Sequence, residues 1–254
     1  MVSLLQTKVW RDVGENRWAF LAIIGICSLG IALFSGLNLY VSTIETKVSS
    51  YYERANLADY WVYTAGLSDS GWSDTLLALD GVLDAQRRKV VDLPLDGASG
   101  ALLRLHAVEE ASRINVPDLL AGSLLDGDET DALLLDSRFA EAHGLSVGDR
   151  LATRNGDGLR HWLIKGIIRD VEYVYYAPEG LTIPDYHTYG FAYTNASALP
   201  DVPFNEIILT VDEEVSPSQD DVAQAVRDAL GGANILSRAH QASARKVADS
   251  MTGI

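Results

Sequence analysis

The chain has 254 residues, of which 48% are hydrophobic and 22% are charged, and its formal net charge is −15. This composition suits a folded core and argues against disorder. Nucleic-acid binding depends on basic residues that neutralise phosphates, so we expect no nucleic-acid partner. The single cysteine, Cys27, excludes an internal disulfide and a cysteine-based metal site.

An apolar segment, Trp18–Tyr40, lies near the N-terminus and contains no charged residue. Twenty such residues in a helix span about 30 Å, the thickness of the bilayer hydrocarbon. A buried core helix would normally show a polar face, which this segment lacks. The apolar run is longer than that of a signal peptide, and no small-residue cleavage site follows it. We therefore predict an uncleaved transmembrane helix over residues 18–40.

The flanks of this helix differ in character. Residues 1–17 place apolar side chains at helical spacing among charges, which predicts an amphipathic segment on the cytoplasmic face; the alternative is a frayed polar tail. Residues 41–56 contain no glycine or proline and predict a stalk helix. Basic residues set orientation. Three precede the helix and two follow it closely: Lys8, Arg11, Arg17, Lys47 and Arg54. We expect a cytoplasmic N-terminus.

Small residues recur along the apolar helix at every fourth position, at Ser28, Ala32 and Gly36. A small-x-x-x-small stripe allows a second helix backbone to approach closely. A lone membrane anchor has no need of such a stripe. The stripe therefore favours packing against further membrane helices.

The remaining sequence begins and ends with related patterns of strands and helices. After the stalk, the predicted order is strand, helix, strand, strand, at residues 58–64, 73–79, 82–93 and 101–108. We predict that Ser73 and Asp74 cap this helix and that Gly81 ends it. Near the C-terminus the predicted order is strand, helix, strand, at residues 205–211, 217–230 and 233–237. Together they predict one α+β domain of the split-βαβ kind, formed by residues 57–113 and 200–239.

The intervening residues 114–199 are predicted to form an inserted, β-rich subdomain. A strand over 132–135 leads to Asp136, which is a typical N-cap for a helix over 137–143. Gly144 is a typical helix end. The Asn-Gly-Asp-Gly sequence at 155–158 predicts a hairpin between two further strands.

Residues 171–195 combine seven aromatic side chains with glycines and prolines, which predicts a long loop flanked by strand ends. These aromatic residues are Tyr173, Tyr175, Tyr176, Tyr186, Tyr189, Phe191 and Tyr193. They could form a surface for a partner or ligand. We favour the alternative, in which they pack onto the core of the inserted subdomain.

No sequence motif of a known active site is present. The five histidines lie on separate predicted elements: His106, His143, His161, His187 and His240. The acidic turn at 126–131 resembles a calcium loop, but Ser137 stands where such a loop has glutamate. The sequon at Asn195 has no meaning in a bacterial protein. We therefore predict no catalytic, cofactor-binding or metal-binding residues.

Several stretches resemble the MacB/FtsX-type ABC transporter permeases. They are VWRDVGENRWAFLAIIGICSLGIALFSGLN at the membrane, then LADYWVY, LDGVLDAQRR, LLLDSRFAEAHGLSVGDRL, IKGIIRDVEYVY and IPDYHTYGFAY. The resemblance covers almost the whole chain, and its motifs are structural turns and strand edges.

The resemblance implies a bacterial plasma (inner) membrane protein with residues 41–254 outside the cytoplasm. It implies a porter-like domain between the first two of at least four membrane helices. Residues 240–254 are helical in propensity and predict the start of a helix returning to the membrane. A cytoplasmic ATP-binding cassette ATPase would hydrolyse ATP, and a second permease subunit and membrane lipid would be the other partners. The permease would do conformational work on lipoprotein, peptide or drug-like substrates. It implies no enzyme activity and no cofactor in this chain.

Two alternatives remain open. A single-span receptor would use the α+β domain to bind a ligand or partner protein and signal inward. A membrane-anchored hydrolase is disfavoured because no catalytic motif is present.

Overall fold

The computed structural model describes residues 11, 15–65, 71–97, 100–109, 111–127, 129–156, 158–173, 184–212, 215 and 219–241. The chain divides into two compact units, residues 1–50 and 51–254. Some predictions fall outside the described residues: most of the amphipathic segment 1–17, the returning helix beyond Gln241, and the middle of the aromatic loop at 174–183.

The first unit contains most of helix α1, Arg17–Arg54. Its apolar part, Arg17–Tyr40, is long and apolar enough to cross a membrane, and its side chains are exposed. The helix continues without a break through most of the predicted stalk. Polar side chains beyond the apolar part bond to the helix itself, as Thr43 Oγ1 donates to Leu39 O at 2.7 Å. These bonds satisfy hydroxyl groups without interrupting the helix.

The end of α1 belongs to the second unit and has a well-defined cap. Asn56 adopts a left-handed conformation, with φ of 49°. Leu57 N donates to Tyr52 O at 3.0 Å, and Asn56 N donates to Glu53 O at 3.1 Å. This pair of bonds is the Schellman arrangement that satisfies the last carbonyls of a helix. The chain therefore turns sharply from α1 into the folded domain.

The second unit is built on one mixed sheet. Its described strands are β1 Tyr60–Tyr63, β2 Val82–Pro94, β3 Leu102–Val108, β4 Asp118–Gly122, β5 Ala132–Asp136, β6 Arg150–Asn155, β7 Gly158–Arg169, β8 Tyr189–Asn195, β9 Glu206–Val211 and β10 Asn234–Ser237. The helices are α2 Trp72–Leu77, α3 Ser137–His143 and α4 Gln219–Ala229, with short 3₁₀ helices at Ala196–Ala198 and Arg238–His240. The strand order is β10-β1-β9-β2-β3-β8-β5-β7-β4, and β6 also pairs with β7.

The first part of the sheet confirms the α+β fold class. Strand β9 lies between β1 and β2 and is antiparallel to both, so the two ends of the sequence pair as predicted. Strand side chains alternate between the two faces of a sheet. On β9, Ile207 and Leu209 therefore face α2 and α4, where they pack with Leu76, Val222 and Val226. Glu206 and Ile208 alternate with them along β9.

The strands of residues 114–199 continue the same sheet. Strand β8 joins β3 by parallel pairing, from Leu102 opposite Tyr189 to Val108 opposite Asn195. A second core lies on this part and includes Leu105, Trp162 and, from α3, Phe139. The division into a domain and an inserted subdomain at 113/114 remains a prediction, but the two parts share one hydrogen-bonded sheet.

Helix α3 has the predicted bounds and the predicted caps. The Asp136 side chain accepts from Arg138 N at 3.0 Å, and Gly144 has φ of 63°. The predicted cap of α2 is wrong. That helix begins at Trp72 after Gly71, which has φ of 83° and no capping side chain. Ser73 therefore lies inside the helix and not at its boundary.

Two strands differ from the prediction. Strand β4 was not predicted, because its five residues show no alternation of apolar and polar side chains. The predicted loop at 171–195 is shorter than expected, because its last seven residues form β8. Six of those seven residues are buried, so both faces of β8 are covered and the usual alternation is missing.

Gly190 on β8 should tolerate no side chain. A Cβ at this position would overlap the ring of Phe139, which packs onto the strand from α3. We predict that Gly190→Ala lowers the free energy of unfolding by about 1–3 kcal/mol, as overpacked cores do. Thermal unfolding of the full chain, followed by near-UV circular dichroism, measures this. Gly158→Ala is the control, because its nearest neighbour would be 3.5 Å away; equal effects of the two changes would contradict the packing.

Candidate functional site

A buried cluster of charges lies on strands β2 and β9, where the segment after β7 reaches the first part of the sheet. Arg88 on β2, Glu206 on β9 and Glu172 beyond β7 are all less than 5% exposed. Arg88 Nη2 donates to Glu172 Oε1 at 2.9 Å, and Arg88 Nε donates to Glu206. We call these three residues the Arg88 cluster.

The fold brings the three side chains together in two ways. Arg88 and Glu206 are directly opposite one another on antiparallel strands, so their side chains share a face. Glu172 arrives through a tight turn after β7. The Asp170 side chain accepts from Glu172 N at 2.7 Å and from Tyr173 N at 3.2 Å, which holds this turn over the sheet.

Glu172 is the most highly connected member of the cluster. Besides Arg88, its carboxylate accepts from Trp61 Nε1 at 2.9 Å and from Asn115 Nδ2 at 2.8 Å. Asn115 in turn accepts from Ala58 N at 2.7 Å through its side-chain oxygen. The main-chain oxygen of Glu172 accepts from Gln241 at 3.0 Å. One carboxylate therefore ties the segment after β7 to β1, β2 and the segment after β3.

Burial and neighbouring charges act in opposite directions on the pKa values of the cluster. Burial opposes the charge of Arg88, but Glu172 and Glu206 outweigh this effect and raise the pKa of Arg88. Burial raises the pKa of Glu206 although Arg88 favours its ionised form. Two carboxylates thus share one guanidinium in a site that excludes water. Such a cluster is stable only while all its partners remain in place.

Two further titratable groups adjoin the cluster. Burial, followed by the negative charges of Glu172 and Asp136, raises the pKa of Asp170 to about 7. Burial, followed by the positive charges of Arg88 and Arg104, lowers the pKa of His106. The lowered pKa favours a neutral imidazole, and this ring stacks on the ring of Tyr193, with centroids 5.2 Å apart. Asp170 is therefore a group of this region whose charge changes near neutral pH.

The histidines remain largely separate, as their spacing indicates. His143 and His187 come together, with ring centroids 5.9 Å apart, and the other three lie elsewhere. In the part of the chain that the structure describes, no group of three His, Cys, Asp or Glu side chains could hold a metal ion. The absence of catalytic, cofactor-binding and metal-binding residues stays a prediction.

The acidic turn at 126–131 is organised by a lysine. Lys165 Nζ lies 2.6 Å from a carboxylate oxygen of Asp126 and 2.6 Å from one of Glu129. The Asn195 side chain donates to the main-chain oxygens of Asp126 and Glu129 at 2.7 and 2.8 Å. The acidic turn is thus bonded to side chains of both β7 and β8.

The described aromatic side chains of the 171–195 region mostly face inward. Tyr173, Tyr189, Phe191 and Tyr193 are buried, and the rings of Tyr173 and Phe191 stack at 3.8 Å. The guanidinium carbon of Arg138 lies 4.9 Å from the centroid of the Tyr186 ring. These contacts support the packing interpretation for the described residues.

Sequence reasoning missed the Arg88 cluster. The available signal was the run Gln86–Lys89, four polar residues in the middle of a predicted strand. All four are buried. Buried charges need partners, so this run predicts that carboxylates from elsewhere in the chain pair with it.

Comparisons with known proteins gave structural neighbours alone. No protein-family model matches the chain, and no curated protein matches its sequence. The chain is similar to the periplasmic region of MacB from Actinobacillus actinomycetemcomitans, with a TM-score of 0.46 and 11% identity, covering 82% of this chain and 99% of that one. It is also similar to the extracellular domain of the ABC-type transporter YknZ from Gram-positive bacteria, with a TM-score of 0.43 and 12% identity, covering 71% of this chain and 100% of that one.

Both neighbours are extracytoplasmic domains of MacB- and YknZ-type transporters. They are of the kind that the sequence resembles. In this chain the sheet-rich unit follows one helix that is long and apolar enough to cross a membrane.

Removing the charge of Arg88 should strongly destabilise the domain. We predict that Arg88→Leu lowers the free energy of unfolding by about 3–5 kcal/mol, because two buried carboxylates lose their counter-charge. Urea unfolding of the full chain, followed by tryptophan fluorescence, measures this. The control is Arg154→Leu, whose ion pair with Asp96 is largely exposed and should contribute at most about 1 kcal/mol. A similar loss in both variants would contradict the account of the cluster.

Asp170 should make stability depend on pH. The pKa of Asp170 is raised in the folded state. Its contribution to the free energy of unfolding is therefore fully present below its unfolded pKa near 4 and is lost as the pH rises through about 7. We predict that Asp170→Asn, which keeps an oxygen for the two main-chain bonds, becomes more stable relative to wild type between pH 4 and pH 8. The relative change should be a few kcal/mol in unfolding free energy, on the order expected for a shift of this size. A pH-independent difference between the two proteins would show that Asp170 is ionised throughout.

Proposed function

We propose that this chain is the N-terminal part of the permease subunit of an ABC transporter in the bacterial inner membrane. Its N-terminus would be cytoplasmic, and residues 41–254 would lie outside. The observation that carries the proposal is helix α1, which runs from the apolar segment to Arg54 and ends in the core of the α+β domain. A movement of the membrane helix would then reach the domain without an intervening loop.

The last turn of α1 is built into the second unit by several contacts. Tyr51 and Tyr52 pack on an apolar cluster that includes Trp61, Ile114 and Val171. The Tyr51 hydroxyl donates to the main-chain oxygen of Arg169, the last residue of β7, at 3.3 Å. A displacement of this turn would therefore reach both parts of the sheet directly.

We assign the Arg88 cluster a mechanical role in that transmission. The apolar cluster beneath Tyr51 contains Trp61, and the Trp61 indole also binds Glu172. Through Glu172, the movement would pass to Arg88 and Glu206 without crossing a flexible loop. The two parts of the sheet would then move as one body and do work on a substrate outside the membrane.

The remaining parts of the transporter would come from other chains or segments. ATP hydrolysis is expected in a cytoplasmic ATP-binding cassette partner, because this sequence lacks the phosphate-binding loop G-x-x-x-x-G-K-[ST]. The stripe of Ser28, Ala32 and Gly36 would contact further membrane helices, of this or a second permease subunit, and the rest of the apolar surface would contact lipid. Lipoproteins, peptides and drug-like molecules are the expected substrates.

The test is to purify the natural full-length protein from its source membranes in lipid nanodiscs and identify its partners by mass spectrometry. We expect an ATP-binding cassette ATPase to co-purify, and the complex to hydrolyse ATP. Recovery without any such ATPase, together with a cytoplasmic signalling domain in the same polypeptide, would contradict the permease role and favour the receptor.

The small-residue stripe gives a second test. We predict that Ala32→Leu reduces recovery of the complex at least about fivefold, because a larger side chain separates the packed helices. Quantitative mass spectrometry after purification in mild detergent measures this. Ala19→Leu is the control, since at about 100° per residue it lies on the other side of the same helix. Equal recovery of both variants would contradict a role of the stripe in helix packing.

A further inference from the structure

An open apolar cavity of about 380 Å³ lies on the second unit, near the end of β3. Three neighbouring strands contribute Val108, Leu134 and Tyr193 to its lining. The chain between β3 and β5 contributes Leu119, Leu124 and Leu125. The volume falls in the range of small-molecule sites, and such sites are typically lined by apolar side chains.

The mouth of the cavity is unusually apolar for a protein surface. Leu119 and Leu124 line the cavity and are 40% and 56% exposed. Strand β4, which carries Leu119, is at the edge of the described sheet. Exposed apolar groups that gather around a cavity mark a binding site more often than isolated ones do.

The surroundings of the mouth are acidic. The described part of the segment from β3 to β5 contains one basic residue, Arg113, which is paired with Asp84 of β2. It contains five carboxylates, at Glu109, Asp118, Asp126, Glu129 and Asp131. Glu109 lines the cavity and is bound by Arg87, whose hydrogen bond lowers the pKa of that carboxyl. Lys165 serves both Asp126 and Glu129. One lysine cannot neutralise two carboxylates, so negative charge remains beside the apolar surface.

We propose that this cavity binds a cationic amphiphile, a single small molecule with an apolar body and an ammonium or guanidinium group. The apolar body occupies the space between Leu124, Leu125 and Leu134. The cation lies at the acidic rim near Asp126. An anionic amphiphile with the same apolar body is repelled by the rim. This inference goes beyond the proposed function and does not depend on it.

The experiment uses the full chain in nanodiscs of zwitterionic lipid and three photoreactive probes. Each probe carries the same diazirine-labelled ten-carbon chain, ending in an ammonium, a hydroxyl or a sulfonate group. Labelled peptides are mapped by mass spectrometry, with decyltrimethylammonium as competitor. We expect saturable labelling of residues 117–125 by the ammonium probe. Its half-saturation concentration should be about tenfold lower than that of the sulfonate probe, which corresponds to a difference of about 1.4 kcal/mol in binding free energy.

Matched variants locate the binding. Leu124→Gln should reduce labelling by the ammonium probe at least about fivefold, whereas Leu83→Gln should leave it unchanged. Leu83 is 61% exposed on β2 and does not line the cavity. Both side chains are exposed, so neither change should alter the melting temperature, which is measured in parallel.

Three outcomes would overturn the proposal. They are an absence of saturable labelling at residues 117–125, equal labelling by the ammonium and sulfonate probes, and equal labelling of the two leucine variants. Each is independent of whether an ATPase co-purifies with the natural protein.

Discussion

The carboxylate of Glu172 cannot remain buried and charged without its partners, and much of the architecture meets this requirement. Arg88 supplies the counter-charge, and Trp61 and Asn115 supply neutral donors. Each comes from a different part of the chain, so the carboxylate can be satisfied only when those parts are assembled. An apolar side chain in its place would permit many arrangements. A buried charge with directional partners permits few, which gives the domain one defined joint between its two parts.

The joint between the two parts lies close to the end of α1. The proposed permease role would require the domain to resist internal shear when one end is displaced. In this chain the turn of α1 at Tyr51 packs beside Trp61, and Trp61 is itself a donor to Glu172. The structural link from the helix end to the far part of the sheet is therefore short. The cavity near Leu124 lies between β3 of the first part and β8 and β5 of the other part. A ligand held there would move with the sheet.

Much of the fold follows from local sequence. The limits of α3 depend on Asp136 and Gly144, whose capping roles are local and so could be predicted from the sequence. The apolar helix and the two outer strand–helix–strand groups are equally readable from periodicity. Strand β8 was missed in part because burial on both faces removes alternation. Its parallel pairing with β3, and the meeting of Arg88 with Glu172, join residues far apart in the chain. No local pattern specifies such contacts, and only the buried run Gln86–Lys89 hinted at them.

Native-state hydrogen exchange on the full chain in nanodiscs, with wild type and Glu172→Leu measured side by side, tests the central claim most directly. The claim is that the Arg88 cluster makes the two parts of the sheet a single cooperative unit. The account predicts that the most protected amides of β1 and β9 open in wild type with the same free energy as those of β5 and β7, and that the two sets separate in Glu172→Leu. Two distinct opening free energies in wild type, or no separation in the variant, would contradict it.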